Sequence, residues 1–395
     1  MSSTNLVETF PAPTPAASLV FTTALSQGPL SRVEIARRTG LSSAAVTKAV
    51  RPLMATGYFV EESDGAAPAT VGRPANPVRV NGGRALFIGV KVTADEVIAV
   101  LTDLCCRIRV ARHVPLSERS PASVISVIAA LTGELLIEAR RFGVGVRGLA
   151  VAVSGDVDRA AGVVRYSPFL GWREVGLAGA ARAATGLPVT VDNDVRALTV
   201  AEQWFGAGAG RSGFALVTVG AGIGCGLVVH GRVVAGAHGV AGEIGHLSID
   251  PDGPLCHCGN RGCVEAIASD SAIARSIQER TGRPVGGPAH ALELARAGDP
   301  VAREAFARAG AAIGRAIGAV ANLLGPERVI ISGEGLAAYD QFASQIRDAF
   351  AATVFSTAAR CEVITRPLPF EEWARGAAAT AIQTFIGPDT FQEQR

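Results

Sequence analysis

Lysine is almost absent from this 395-residue chain, which holds only Lys48 and Lys91 and carries its remaining positive charge on arginine. With a formal net charge of +2 the chain as a whole is no polybasic nucleic-acid binder, so a partner of that kind has to be argued from a local unit. Aromatic residues are scarce too, at 5%, yet 48% hydrophobic against 18% charged excludes extensive disorder and leaves Ala, Gly and Val to fill the interior. The opening MSSTNLVETFPAPTPAAS lacks a basic stretch followed by an apolar one, which argues for a reducing, cytoplasmic setting without structural disulfides. No membrane partner is expected either. Residues 212–229 are uncharged and long enough to span a bilayer, but five glycines and an alternating pattern read as two buried strands around a tight turn.

What is present exceeds one hydrophobic core in length, so two or three packing units are expected. Residues 1–15, rich in Pro and Ala, read as a disordered start. Residues 16–82 carry helical periodicity punctuated by Gly28, Gly40 and Gly57, followed by a Gly/Pro-rich stretch. Residues 83–390 then alternate strands and helices, an α/β pattern that runs once through about 83–205 and restarts over about 206–390. Two such halves suggest a duplicated fold of two lobes with a ligand cleft between them.

The stretch LSRVEIARRTGLSSAAVTKAVRPLMATGYFVEE has helix-turn-helix spacing. Gly40 suits the left-handed turn, and Ser42 or Ser43 suits the cap of the second helix. Ala44, Ala45, Val46 and Ala49 are expected to lie against neighbouring helices, with Ser43, Thr47, Lys48 and Arg51 facing a groove in operator DNA. Pro52 is expected to break or kink that helix. The segment after Tyr58 reads as a wing, in which Gly72-Arg73-Pro74 would carry Arg73 into a minor groove. A protein-docking domain and a plain linker turn are the competing readings, since positions 1–80 hold seven basic and five acidic residues.

Three of the seven cysteines crowd into PLCHCGNRGCVE as C-x-C-x4-C, and His246 precedes Cys256 by ten positions. Cys256, Cys258, Cys263 and His246 make a tetrahedral zinc set, and a set closed by four protein ligands points to a structural ion. His257 is an alternative nitrogen, although a residue between two ligands usually points away; free thiols or a redox pair are the other readings. Cys105, Cys106, Cys225 and Cys361 read as small core residues within strand patterns.

The string GAHGVAGEIGHLSIDPDGPLCHCGNRGCVEA resembles the signature of the ROK family of repressors, open reading frames and sugar kinases, and the resemblance extends over residues 86–390. The N-terminal unit resembles that family's repressor branch, with its xylose and N-acetylglucosamine regulators. The resemblance implies a winged helix-turn-helix joined to a two-lobed, actin-like, hexokinase-type domain with a sugar between the lobes. Carried onto matching positions, it implies that Asn193, Asp194, Glu243, His246 and Glu265 hydrogen-bond sugar hydroxyls, with His246 free to use one ring nitrogen for zinc and the other for the sugar.

In the family's kinases Asp194 would be the general base. Their first phosphate loop is an Asp-x-Gly-Gly-Thr type, whereas this chain reads GVKVTADE, with Lys91 at the expected Asp and Thr93 and Ala94 in place of glycines. A lysine cannot ligate magnesium, and side chains crowd the approach to the backbone. The second loop, Gly220-Ala221-Gly222-Ile223-Gly224, keeps its glycines but has Ala221 where a hydroxyl residue is usual. The expectation is a non-enzymatic regulator that senses a sugar or sugar phosphate and binds operator DNA as a homodimer or homotetramer. An ATP-dependent sugar kinase carrying a DNA-binding domain is the alternative.

Overall fold

The computed structural model describes residues 9–62 and 76–387. Its contacts divide the chain into a first unit, Met1–Gly210 with Phe370–Arg395, and a second, Arg211–Pro369.

The first unit opens with three helices and a small ribbon: α1 (Pro15–Gln27), α2 (Arg32–Thr39), α3 (Ser43–Ala55), β1 (Phe59–Glu61) and β2 (Val78–Val80). Ser31 and Glu34 form a capping box at the start of α2, which satisfies two backbone groups that a helix N-terminus leaves open. The helix stops at Gly40, whose φ of 70° is left-handed and whose N–H reaches the Ala36 carbonyl. Ser42 then caps α3, accepting from Ala45 N. Pro52 does not break α3, which continues to Ala55. Its missing N–H and its ring act on the Lys48 carbonyl one turn back, a single lost bond that the helix absorbs before it ends three residues on. β1 and β2 pair antiparallel, and the intervening residues 63–75, Arg73 among them, lie outside the described residues.

Next come β3 (Leu86–Val92), β4 (Glu96–Asp103), β5 (Ile108–Pro115), α4 (Pro121–Ala139), β6 (Val146–Val153), β7 (Asp156–Asp158), β8 (Val163–Ser167), β9 (Trp172–Val175), α5 (Leu177–Thr185), β10 (Val189–Asn193) and α6 (Asp194–Phe205). The main sheet has the order β10-β6-β3-β4-β5, antiparallel across β3, β4 and β5 and parallel across β3, β6 and β10. Side chains alternate across a strand. Leu86, Ile88 and Val90 therefore join the core that α4 supplies with Val124, Ile128, Leu131 and Leu135. The opposite face of β3 meets the C-terminal helix Glu371–Ile386. There Gly89 leaves room that a β-carbon would fill to within 2.0 Å of the Ala374 carbonyl oxygen.

Three expectations need correction in this unit. The C-terminal helix belongs to the first unit and not to the second lobe: it packs along β3, β4, β6 and β10. The described part of the expected disordered start is ordered around Phe10, which is buried edge-on against Phe21, Tyr58 and Phe385. Cys105 and Cys106 sit in the β4–β5 turn instead of a strand, with Cys106 at φ 58° and fully buried. The three-stranded sheet β7-β8-β9 was not foreseen.

The second unit holds β11 (Phe214–Val219), β12 (Ile223–Val229), β13 (Arg232–Val233), α7 (Val264–Ala268), α8 (Asp270–Thr281), α9 (Pro288–Arg296), α10 (Pro300–Leu324), β14 (Arg328–Ser332), α11 (Tyr339–Thr353) and β15 (Glu362–Thr365). The stretch 212–229 does form two antiparallel strands, β11 and β12. Four helices, not the expected three, stand between residues 264 and 324. The order β15-β14-β11-β12-β13 repeats the first unit's sheet strand for strand. Along α10, Gly310, Gly314 and Gly318 recur every four residues and let α11 approach within the space of a β-carbon. One described helix, spanning Pro121–Phe142, is long and apolar enough to cross a membrane, but its apolar residues serve the first unit's core.

Candidate functional site

The cysteine loop returns on itself between β13 and α7. Isolated bridges join Ser248 to Cys263 and Leu255 to Arg261, and the Cys256 N–H donates to the Asn260 carbonyl. Gly262, at φ 60°, passes so close to the Asp250 carbonyl oxygen that a β-carbon would sit 1.6 Å from it; only glycine permits this turn ahead of Cys263. The result gathers His246, Cys256, Cys258 and Cys263 so that their ligand atoms all lie within 4.8 Å of one another. Cys258 Sγ is 3.7 Å from Cys263 Sγ, and Cys256 Sγ is 3.6 Å from His246 Nδ1. Four donors at metal–sulfur distances of about 2.3 Å stand about 3.8 Å apart along a tetrahedron's edges, so the donor set fits an ion.

Protonation follows position. Burial, then the neighbouring thiols, push Cys263 up to about 12, and burial raises Cys256. The Asn260 N–H lowers Cys258, and burial lowers His246, which keeps its imidazole neutral and able to ligate. His246 presents its other nitrogen, Nε2, toward Glu243 at 3.9 Å. His257 does not point away. It packs edge-on against His246 at 4.9 Å between ring centroids, and its Nε2 meets Glu265 Oε1 at 2.8 Å. The other Glu265 oxygen, Oε2, accepts from the Ile223 N–H at 3.0 Å. A second potential metal set, His246 with Cys256, His257 and Glu265, shares this space.

In the first unit Asn193 and Asp194 stand where β10 passes into α6. Asn193 caps the helix, its Oδ1 accepting from Arg196 N and its Nδ2 donating to the Gly155 carbonyl. Behind it, buried Asp192 accepts from Arg159 and Arg196. Asp194 is buried and fully engaged: Oδ1 accepts from the Val195 N–H, while Oδ2 accepts from both the Lys91 ammonium and the Ser154 hydroxyl. Lys91 also donates to Ser154 at 3.2 Å and lies 5.1 Å from the Trp373 ring centre. Burial presses the Asp194 carboxyl upward, but the Lys91 ammonium and its hydrogen bonds outweigh this and hold it below the usual carboxylate range. The adjoining hairpin is closed by Thr93, whose Oγ1 accepts from the Asp95 and Glu96 N–H groups.

On α3 the exposed residues ahead of the last turn are Ser43, Ala44, Thr47, Lys48 and Arg51, with Val46, Ala49, Val50 and Leu53 buried beneath. Spacings of one, four, five and eight put the exposed set on one helical face. Ala44, expected to pack inward, lies on it instead.

A model described as "ROK family" matches residues 87–384. The chain belongs to the ROK family. It is 31% identical over 315 residues to the DNA-binding transcriptional dual regulator NagC of Escherichia coli, covering 78% of this chain and 77% of that one. A solved ROK family transcriptional regulator, described as a homolog of the E. coli MLC protein, superposes with a TM-score of 0.78 at 26% identity over 94% of this chain and 97% of its own. A ROK glucokinase from Streptomyces griseus, in complex with glucose and AMPPNP, gives a TM-score of 0.65 at 29% identity, covering 75% of this chain and 99% of its own.

Three roles in this ROK chain had no counterpart in the sequence reading. Lys91, whose signal in the sequence is only the loss of a magnesium ligand, is the buried partner of Asp194. Ser154 and His257 hold the two central carboxylates, Asp194 and Glu265. A Ser just past a buried strand and a His beside a ligand pair were the available signals, but neither names its partner.

Proposed function

We propose that this ROK chain is a cytoplasmic, sugar-responsive regulator that binds operator DNA and represses carbohydrate-utilisation genes. The observation that carries this reading over a kinase is the buried Lys91–Asp194 ion pair. A carboxylate held ionised by an ammonium, with every oxygen engaged, is a poor acceptor for the proton of an attacking hydroxyl. Thr93 meanwhile takes the hairpin amides that a phosphate would need. The exposed face of α3, with Ser43, Thr47, Lys48 and Arg51, supports DNA binding, and we assign Arg73 to the same interface. Similarity to regulators along most of the chain supports the same conclusion.

We assign Asn193, Asp194, Glu243, His246 and Glu265 to sugar hydroxyls, which carboxylates, an amide and an imidazole suit; at Asp194 the hydroxyl shares a carboxylate that Lys91, Ser154 and the Val195 N–H already hold. Zinc is the ion that suits three thiolates and an imidazole; held by Cys256, Cys258, Cys263 and His246 Nδ1, it supplies a fixed anchor for the loop. His246 Nε2 is then directed away from the ion, available to ligand. A homodimer or homotetramer would set two α3 helices on successive turns of a pseudo-palindrome.

The test is electrophoretic or anisotropy-based binding to the chain's own promoter region, titrated with a panel of sugars and sugar phosphates. One of them is expected to release the DNA, with no phosphoryl transfer in a coupled assay. Turnover at about 1 to 100 per second would establish the kinase instead.

A further inference from the structure

Sequence alone locates the change at the second glycine loop in Ala221. The structure points to another residue. β11 and β14 run parallel with Thr218 paired to Ser332, so the loop that follows β11 and the Gly333-Glu334-Gly335 turn that follows β14 emerge side by side. Carboxyl ends of adjacent parallel strands, followed by tight glycine turns with inward N–H groups, are where α/β sheets hold anions. Here those groups are already taken. Glu334 Oε1 accepts from the Ala221 N–H at 3.0 Å, Glu265 Oε2 accepts from the Ile223 N–H, and the Gly220 N–H turns back to the Gly222 carbonyl.

Glu334 also lies flat on the loop. A β-carbon at Gly220 would come within 2.3 Å of Glu334 Cδ and Oε1, so the carboxylate fills the space that the missing side chain leaves. The turn that carries it is pinned. Gly333 and Gly335 press on the end of β11 so closely that β-carbons there would stand 2.4 Å and 2.9 Å from the Val219 carbonyl oxygen. The Asp270 N–H donates to the Gly220 carbonyl at 2.9 Å, adding a second carboxyl group beside the loop. Burial first, and then the Glu334 charge, push Asp270 up to about 6.

We propose that Glu334 is a built-in stand-in for a nucleotide phosphate: its carboxylate takes the Ala221 amide and covers Gly220, and so closes the 220–224 loop to polyphosphate. The loop's own glycines still have the shape for an anion. Specificity against nucleotide in this unit is therefore set by one side chain donated from the neighbouring strand end. This deepens the regulator reading and rests on it, but it is measured apart from it: nucleotide binding reports the loop, and sugar-triggered release of DNA reports the regulator.

The experiment uses the full-length protein with N-methylanthraniloyl-ADP as the fluorescent probe and Mg-ATP and sodium triphosphate as competitors. Wild type is expected to show no saturable, competable signal. Glu334→Gly and Glu334→Ala are expected to gain competable binding, at least about tenfold tighter than wild type. Glu334→Gln, which keeps the volume and one acceptor oxygen, should stay closed. Operator binding by each variant verifies folding, and Glu334→Ala carries the test if the glycine variant fails to fold. Tight competable binding by wild type overturns the proposal whatever the variants do, as does a folded Glu334→Ala protein with no gain.

Discussion

Two carboxyl groups illustrate opposite consequences of burial. Asp194 is paired, and its pKa is lowered, so its contribution to stability is present above the unfolded value of 3.8 and is lost as pH falls through the lower folded value. Lys91→Met would leave it buried without its counter-charge; the variant is expected to lose about 3–5 kcal/mol in urea unfolding at neutral pH. That deficit should shrink toward acid, and Asp194→Asn in the same chain should recover much of it. Asp270 is raised to about 6, so its protonated form is favoured by folding. Its stabilising effect is greatest below pH 3.8 and is lost as pH rises through about 6. Asp270→Asn is therefore expected to raise stability by about 1–3 kcal/mol near pH 7.5 and to have little effect near pH 4. Equal shifts at both values would contradict the assignment.

At the scale of elements, β3 and the C-terminal helix touch backbone to backbone at Gly89, where there is no side chain to yield. Gly89→Ala should cost about 1–3 kcal/mol or more, seen as a lower unfolding midpoint. On α3, Lys48→Ala and Arg51→Ala should each weaken operator binding and reduce its salt slope by about one, leaving sugar affinity intact. A matching loss of sugar affinity would argue against separable functions. The helix-turn-helix was readable because its information is local: a capping serine, a left-handed glycine and apolar spacing within 25 residues or so. The C-x-C-x4-C loop was readable for the same reason. The β7-β8-β9 sheet was not, since strands of three to five residues are too short to display alternation. Nor could the partners of Asp194 and Ala221 be read, because Lys91 and Glu334 stand 103 and 113 positions away in sequence.

For the whole molecule, the repeated strand order places comparable devices at comparable points of the two units. In the first, Lys91 near the end of β3 and Ser154 beyond β6 converge on Asp194. In the second, Glu334 beyond β14 reaches the loop after β11. Each unit thus carries an internal charge beside a strand end, the Lys91–Asp194 pair in the first and Glu334 in the second. If the metal loop in the second unit is part of the response, Cys258→Ser should lose bound zinc, measured by elemental analysis, and sugar-triggered DNA release together, while sugar-free operator binding persists. A metal-free variant with normal release would break that link.

The chain leaves the first unit after Gly210 and re-enters it at Phe370, and this ordering has a genetic corollary. A nonsense codon arising between Phe370 and Phe385 would spare every residue of the second unit, yet it would cut away sheet-covering helix and remove Phe385, on which Phe10 and Tyr58 rest. Late-truncating alleles should therefore behave as loss of DNA binding, and residues 211–369 are the fragment to clone when a separately folding piece is wanted.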